Sequence, residues 1–269
     1  GINVSMVLSE LGVKSRAIGF VAGFTGAAIE ESVIEHGIDA DFVHLESGLS
    51  RINIKLKSNG ETELNANGPK ISDRALTELF KRLGELVDGD VLVLAGSVPD
   101  SLPQDIYQQI LEYLSAKKIV TVVDASKDLL TNTLKYKPYL IKPNLNELGE
   151  IFGEKPNSKE EIITYASQLQ EMGAQNVLVS MAGQGAVLLA EDGSVFESSV
   201  PAGSLINGVG AGDSMVAGFM AGWLEKQDYG HAFYMGMAAG SATAFSEGLA
   251  GGGEIRELYR RMRGLCGGD

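Results

Sequence analysis

Cysteine is almost absent: Cys266 is the one cysteine in 269 residues. An intrachain disulfide is therefore impossible, and a reducing, cytoplasmic location is the expectation. Positive charge is also short, with 22 Lys and Arg against 35 Asp and Glu and a formal net charge of -13. Such an acidic surface repels phosphate backbones, so no nucleic-acid partner is expected. An anionic ligand would need a local cluster of cations and backbone N–H groups. No apolar run is long enough to cross a bilayer, so no membrane partner is expected, and no signal peptide is visible. His36, His44 and His231 do not have the spacing of metal ligands. Gly-Lys-Ser/Thr is missing, which excludes a Walker A loop. The chain opens on Gly1-Ile2-Asn3-Val4-Ser5 and runs directly into Val4, Val7, Leu8 and Leu11 at helical spacing. An α/β domain normally opens with a strand, so the expectation is that the natural N-terminal strand or strands are missing.

Glycine is plentiful, at 34 residues, often at the ends of apolar runs where tight strand-to-helix turns are expected. From residue 73 the chain alternates regularly. Strands are predicted at 91–95, 119–123, 139–141 and 177–179, with helices near 73–86, from Pro103 onward, and at 159–172. Residues 17–24 read as an earlier strand and 26–36 as a helix. Continuous apolar strands between amphipathic helices predict an α/β sandwich with a mostly parallel central sheet covered on both faces. Right-handed crossovers then bring the strand C-terminal ends to one rim, where ligands bind. Ser97, Asp124, Lys142, Asn144 and Ser180 fall there.

Residues 50–56 break the pattern. Ile52, Ile54 and Leu56 alternate with Arg51, Asn53 and Lys55, which predicts a half-buried strand. With the Asn59-Gly60 turn it makes a small β excursion, placed at residues 42–69, within one domain covering 1–269. The C-terminal part predicts helices at 213–225 and 229–245. The second is rich in Ala, Gly and Met and is expected to pack closely.

The strongest chemical signal is Asn207-Gly208-Val209-Gly210-Ala211-Gly212-Asp213-Ser214, ahead of an apolar helix. Free N–H groups and the dipole at such a helix start make an anion site. A carboxylate at Asp213 would repel that anion unless it served as a base. The plainer reading is an N-cap. A dinucleotide fingerprint fits poorly, because no βαβ unit with a following acidic residue is present.

This string resembles the Gly-Ala-Gly-Asp signature of the ribokinase-like, phosphofructokinase B type carbohydrate kinases. Three further segments match that family in order. Gly1-Ile2-Asn3-Val4-Ser5 resembles the end of its Gly-Gly-Lys-Gly-x-Asn segment. Lys142-Pro143-Asn144-Leu145-Asn146-Glu147 resembles its Lys-Pro-Asn-x-x-Glu motif. Ser180-Met181-Ala182-Gly183-Gln184-Gly185 resembles its nucleotide loop, with Ala182 where many members have glycine. Residues 50–55 and 240–250 look most like the 1-phosphofructokinase branch. Tagatose-6-phosphate kinases and the minor type of 6-phosphofructokinase are the near alternatives.

The resemblance implies a ribokinase-like three-layer α/β/α fold with a small β lid, and an ATP- and Mg²⁺-dependent kinase acting on a phosphorylated ketohexose. It implies Asp213 as general base, with Gly210, Ala211 and Gly212 forming the anion cradle. It places Lys142, Asn144, Ser180, Gly183, Gly185, Gly208, Gly240 and Ser241 around the nucleotide. Asn3, Arg51, Asn53 and Ser97, with Asp213, would meet the sugar. Asn144 and Glu147 would organise Mg²⁺ through water. A homodimer through the lids is implied as well. The plainer readings are a capping box for Asn144 and Glu147, a hairpin turn for residues 180–185, an N-cap for Asn3 and a solvated strand face for Arg51 and Lys55. A nucleotide-binding homologue without turnover and a dinucleotide oxidoreductase are the competing functions.

Overall fold

The structure is a computed structural model that describes residues 1–57, 61–96 and 98–264, with the backbone alone for 55–57 and 61–65. The expected turn at Asn59-Gly60, the substrate residue Ser97 and Cys266 lie outside the described residues.

Helix α1 (Ile2–Glu10) leads into β1 (Arg16–Val21), α2 (Gly23–Glu35) and β2 (Asp39–His44). Strands β1 and β2 pair in parallel. The expected strand at 17–24 ends sooner, because Gly23, at φ +58, turns the chain into α2. Next comes an antiparallel hairpin, β3 (Asn53–Lys57) and β4 (Glu61–Asn65), in a sheet of its own. The first three residues of the expected excursion, Phe42 to His44, belong instead to β2, where Phe42 and Val43 are buried.

The body follows as α3 (Asp73–Leu83), β5 (Val91–Ala95), α4 (Ile106–Tyr113), β6 (Val120–Asp124), α5 (Lys127–Thr131), β7 (Leu140–Ile141), α6 (Leu145–Phe152), α7 (Lys159–Glu171), β8 (Asn176–Ser180), β9 (Ala186–Leu189) and β10 (Val195–Ser198). Helices α8 (Ala211–Lys226), α9 (Tyr229–Ala244) and α10 (Gly252–Met262) close the chain. The main sheet has the order β10-β9-β8-β7-β6-β5. Its β5 to β8 pairings are parallel, while β9 and β10 run antiparallel to their neighbours.

The period of two along each strand builds two cores at once. Val122, Leu140, Leu178 and Leu188 join the cluster under α1, α8, α9 and α10. Val123, Ile141, Val177, Val179 and Val187 join the opposite cluster, under α3, α4, α6 and α7. Each such side chain contributes roughly 1.5–3 kcal/mol of burial. The exposed Arg16–Asp39 pair at 2.7 Å is screened by water and is minor beside them.

Helices α8 and α9 approach through glycine. A Cβ on Gly218 would lie 2.5 Å from the Met235 carbonyl oxygen, and one on Gly236 would lie 2.9 Å from that of Met215. The close packing expected of residues 229–245 is what these contacts describe. It fixes where α8 begins, and the candidate site lies there.

Candidate active site

Helix α8 starts at Gly210, whose φ of +80 suits glycine alone among common residues. A Cβ there would also strike Leu249, 2.7 Å away. The preceding loop is tied down on both sides. Asn207 donates its side-chain amide to the Glu247 carbonyl at 2.8 Å and accepts from the Val209 amide at 3.1 Å. Ile206 and Asn207 also donate backbone N–H groups to the Ala244 carbonyl at the end of α9. The Ala211 amide donates to the Gly208 carbonyl at 3.3 Å, and the amides of Gly212 and Asp213 that follow have no intrahelical acceptor.

Asp213 sits three residues after the cap and makes no capping bond. Its Oδ2 accepts from the Asn3 side-chain amide at 2.8 Å. The N-cap reading therefore fails for Asp213. It fails for Asn3 as well, since Gly1 caps α1. The carboxylate gains from the helix dipole, by about 0.3–1 kcal/mol, and is held by a side chain 210 positions away in sequence.

Lys142 follows β7 and is buried, its Nζ 3.1 Å from the Asp124 carboxylate at the end of β6. The same Nζ lies 3.2 Å from where a Cβ on Gly212 would stand. The lysine thus reaches the first turn of α8. Burial, and then the Asp124 carboxylate, push the nearby Tyr107 phenol up to about 12. It remains a donor to the Gly96 carbonyl at 3.2 Å.

Asn144 and Glu147 form a complete capping box at the start of α6. The Asn144 Oδ1 accepts from the amides of Asn146 and Glu147, at 2.9 and 3.0 Å, and Glu147 Oε2 accepts from the Asn144 amide at 2.8 Å. Burial raises the Glu147 carboxyl above its ordinary range. The Asn144 amide and Lys142 oppose the rise, and Asp124 and Glu150 add to it. Asn144 also bridges to Ser180, which ends β8.

Residues 181–185 are indeed a hairpin turn, joining β8 to antiparallel β9. Ala182 holds a left-handed φ of +49, a conformation natural to the glycine that many family members carry. Gly185, at φ +103, passes so close to Ser198 that a Cβ would collide with its carbonyl oxygen. Gly183 and Gly208 have open space beside them.

The remaining residues fall into two groups. Gly240 and Ser241 are inside α9, and a Cβ on Gly240 would stand 3.0 Å from the Ala211 carbonyl oxygen. Gly240 therefore packs against the first turn of α8, and Ser241 beside it is buried. Arg51 and Asn53 are exposed at the start of the β3–β4 hairpin, outside the main sheet. The ion pair of Asp124 with Lys142 is what the sequence did not reveal. Both residues were placed at strand ends, but their contact depends on β6 and β7 being neighbours.

The model of the pfkB family carbohydrate kinases matches residues 1–255. The chain belongs to the pfkB family of carbohydrate kinases. A 1-phosphofructokinase of Bacillus subtilis is 45% identical over 263 residues, spanning 98% of this chain and 86% of that protein. A D-tagatose-1-phosphate kinase of Bacillus licheniformis is 37% identical, over 96% of this chain and 84% of its own length. A crystal structure from Staphylococcus aureus superposes with a TM-score of 0.87 at 39% identity, covering 96% of this chain and 84% of that one. This pfkB-family chain is thus a carbohydrate kinase with a ribokinase-like three-layer fold. Among the described residues no helix is long and apolar enough to cross a membrane.

Proposed function

We propose that this kinase transfers the γ-phosphoryl group of ATP to the free primary hydroxyl of fructose 1-phosphate, giving fructose 1,6-bisphosphate and ADP. The observation that carries the reading is Asp213, set without a capping role beside the exposed amides of α8 and anchored by Asn3. In this mechanism Asp213 accepts the hydroxyl proton as the new O–P bond forms and the bond to the β-phosphate oxygen breaks. The N–H groups of Ala211, Gly212 and Asp213 hold the charge spread over the transferring group. Gly208 and Gly210 shape that turn, and Gly208, Gly240 and Ser241 belong to the nucleotide's surroundings, with Gly240 packed against α8. Lys142 adds a cation at the same place. Ser180, Gly183 and Gly185 bound the nucleotide at the β8–β9 turn. Asn3, Arg51, Asn53 and Ser97 meet the sugar phosphate.

The donor set suits a largely hydrated Mg²⁺. Among the described residues no three His, Cys, Asp or Glu gather into a metal cluster, so a protein-only cage is missing. Glu147 keeps Oε1 clear of the capping box and, raised by burial, gains from a cation nearby. Mg²⁺ so placed would neutralise ATP phosphate charge, mainly through its own waters. Asn144, whose amide oxygen already accepts two bonds, serves by fixing Glu147.

The D-tagatose-1-phosphate kinase relatives supply the alternative acceptor. Initial rates with fructose 1-phosphate, tagatose 1-phosphate, tagatose 6-phosphate and fructose 6-phosphate decide it. The highest kcat/KM should fall on fructose 1-phosphate, and a preference of tenfold or more for another sugar, about 1.4 kcal/mol, would replace it as the substrate.

A further inference from the structure

Asp124 and Lys142 are the next pair in the β6–β7 register, since Val123 stands opposite Ile141. Both side chains are largely removed from water, at 7% exposure for Lys142 and 17% for Asp124. As a device for stability the pair is a poor choice, because apolar residues of equal volume usually do as well or better. Its geometry relative to α8 is more telling. The Lys142 ammonium lies against Gly212, and any larger residue at 212 would crowd Nζ at 3.2 Å and Cε at 3.5 Å. Lys142 also opposes the upward shift of the Glu147 carboxyl. Asp124, at 3.1 Å, is the acid that forms the ion pair with the ammonium and so directs it.

We propose that Asp124 is a positioning residue. Its carboxylate holds the Lys142 ammonium against the first turn of α8, so that lysine and free helix amides act on one anion. This rests on the reading of that turn as the ATP phosphate site. Without Asp124 the lysine is drawn toward Glu147, and the cradle loses its cation while every cradle residue stays in place.

A double-mutant cycle of Asp124→Asn and Lys142→Met tests the idea, with ATP affinity measured by titration calorimetry and kcat by coupled assay. Asp124→Asn should weaken ATP binding by about 10–100-fold, the range for losing a hydrogen bond to a charged group. The double variant should be no weaker than Lys142→Met alone, because Asp124 acts only through that lysine. Losses that multiply would overturn the proposal. So would an Asp124→Asn defect that vanishes when Mg²⁺ is omitted, since Asp124 would then serve the cation. Should Asp124→Asn not fold, Asp124→Ser completes the cycle. Failure of both to fold, beside a folded Lys142→Met protein, would also overturn it. A wild-type protein that binds ATP but phosphorylates none of the four sugars would overturn the site reading and leave the coupling measurable. Wild-type turnover with multiplying losses would overturn the coupling alone.

Discussion

Asp213 is the third residue of α8, and an acid there usually serves the helix dipole. Here the Asn3 amide, 2.8 Å away, fixes its carboxylate at the mouth of the cradle. Asp213→Asn preserves the shape and the hydrogen-bonding capacity but removes the proton acceptor. The expected outcome is a fall in kcat of about 10²–10⁴-fold with ATP affinity largely retained, read by steady-state kinetics and calorimetry. A variant keeping more than about a tenth of the turnover would remove Asp213 from its role as base. The same scale explains Ala182. A left-handed alanine costs about 1–2 kcal/mol relative to a right-handed one, so the β8–β9 turn holds it there against its preference.

At the scale of elements, α6 shows how a structural motif and a functional one share the same atoms. The capping box consumes one Glu147 oxygen and leaves the carboxylate partly buried. Its pKa in the folded chain lies above the ordinary 4.5. Folding therefore favours the protonated form. The associated stability is fully present below the unfolded value, and is lost as pH rises through the folded one. Glu147→Gln has no charge to desolvate, and Gln can complete the box equally well. The variant should melt at or above the wild-type temperature at pH 7. The difference should shrink as pH falls toward 4.5, as calorimetry at the two pH values would show. Its turnover should demand more Mg²⁺. A variant clearly less stable than wild type at pH 7 would refute the burial account of Glu147.

For the whole molecule, the question is what covers the face beside the hairpin. Phe24 is 73% exposed, Ile52 56%, and Ile54 and Leu49 48% each, with Leu49 against Gly23. Hydrogen bonds from the Ala22 amide to Ser50 Oγ and from the Thr25 hydroxyl to the Ser50 carbonyl tie this segment to α2. Exposed apolar residues of this kind suit a docking surface. The family resemblance implies a second subunit as the occupant. Light scattering should give a dimer for the native chain at micromolar concentration, and the Ile52→Asp, Ile54→Asp double variant should be a monomer with unchanged helix content. A native monomer, or a dimer indifferent to both changes, would remove this face from the assembly.

The amino-acid sequence by itself determined the architecture and most of the chemistry. Continuous apolar strands, separated by amphipathic helices, call for a sheet buried on both faces. The glycine loop before α8 was legible either as an anion cradle or as a plain capped helix start. Short-range rules also made the 180–185 hairpin and the Asn144–Glu147 box legible, since each closes within six residues. Strand limits were less legible, as with residues 17–24, where a single positive φ at Gly23 overrode an apolar run. Antiparallel β9 and β10 and helix α10 were not read from the chain at all. What tertiary structure alone decided was partnership across long separations. Asn3 meets Asp213 because α1 packs beside α8, and Asp124 meets Lys142 because β6 and β7 are adjacent. Gly240 comes up against the first turn of α8, because the glycine faces of α8 and α9 let the two backbones come almost into contact. Such contacts depend on the order of strands and the closeness of helices, which no local pattern of residues encodes.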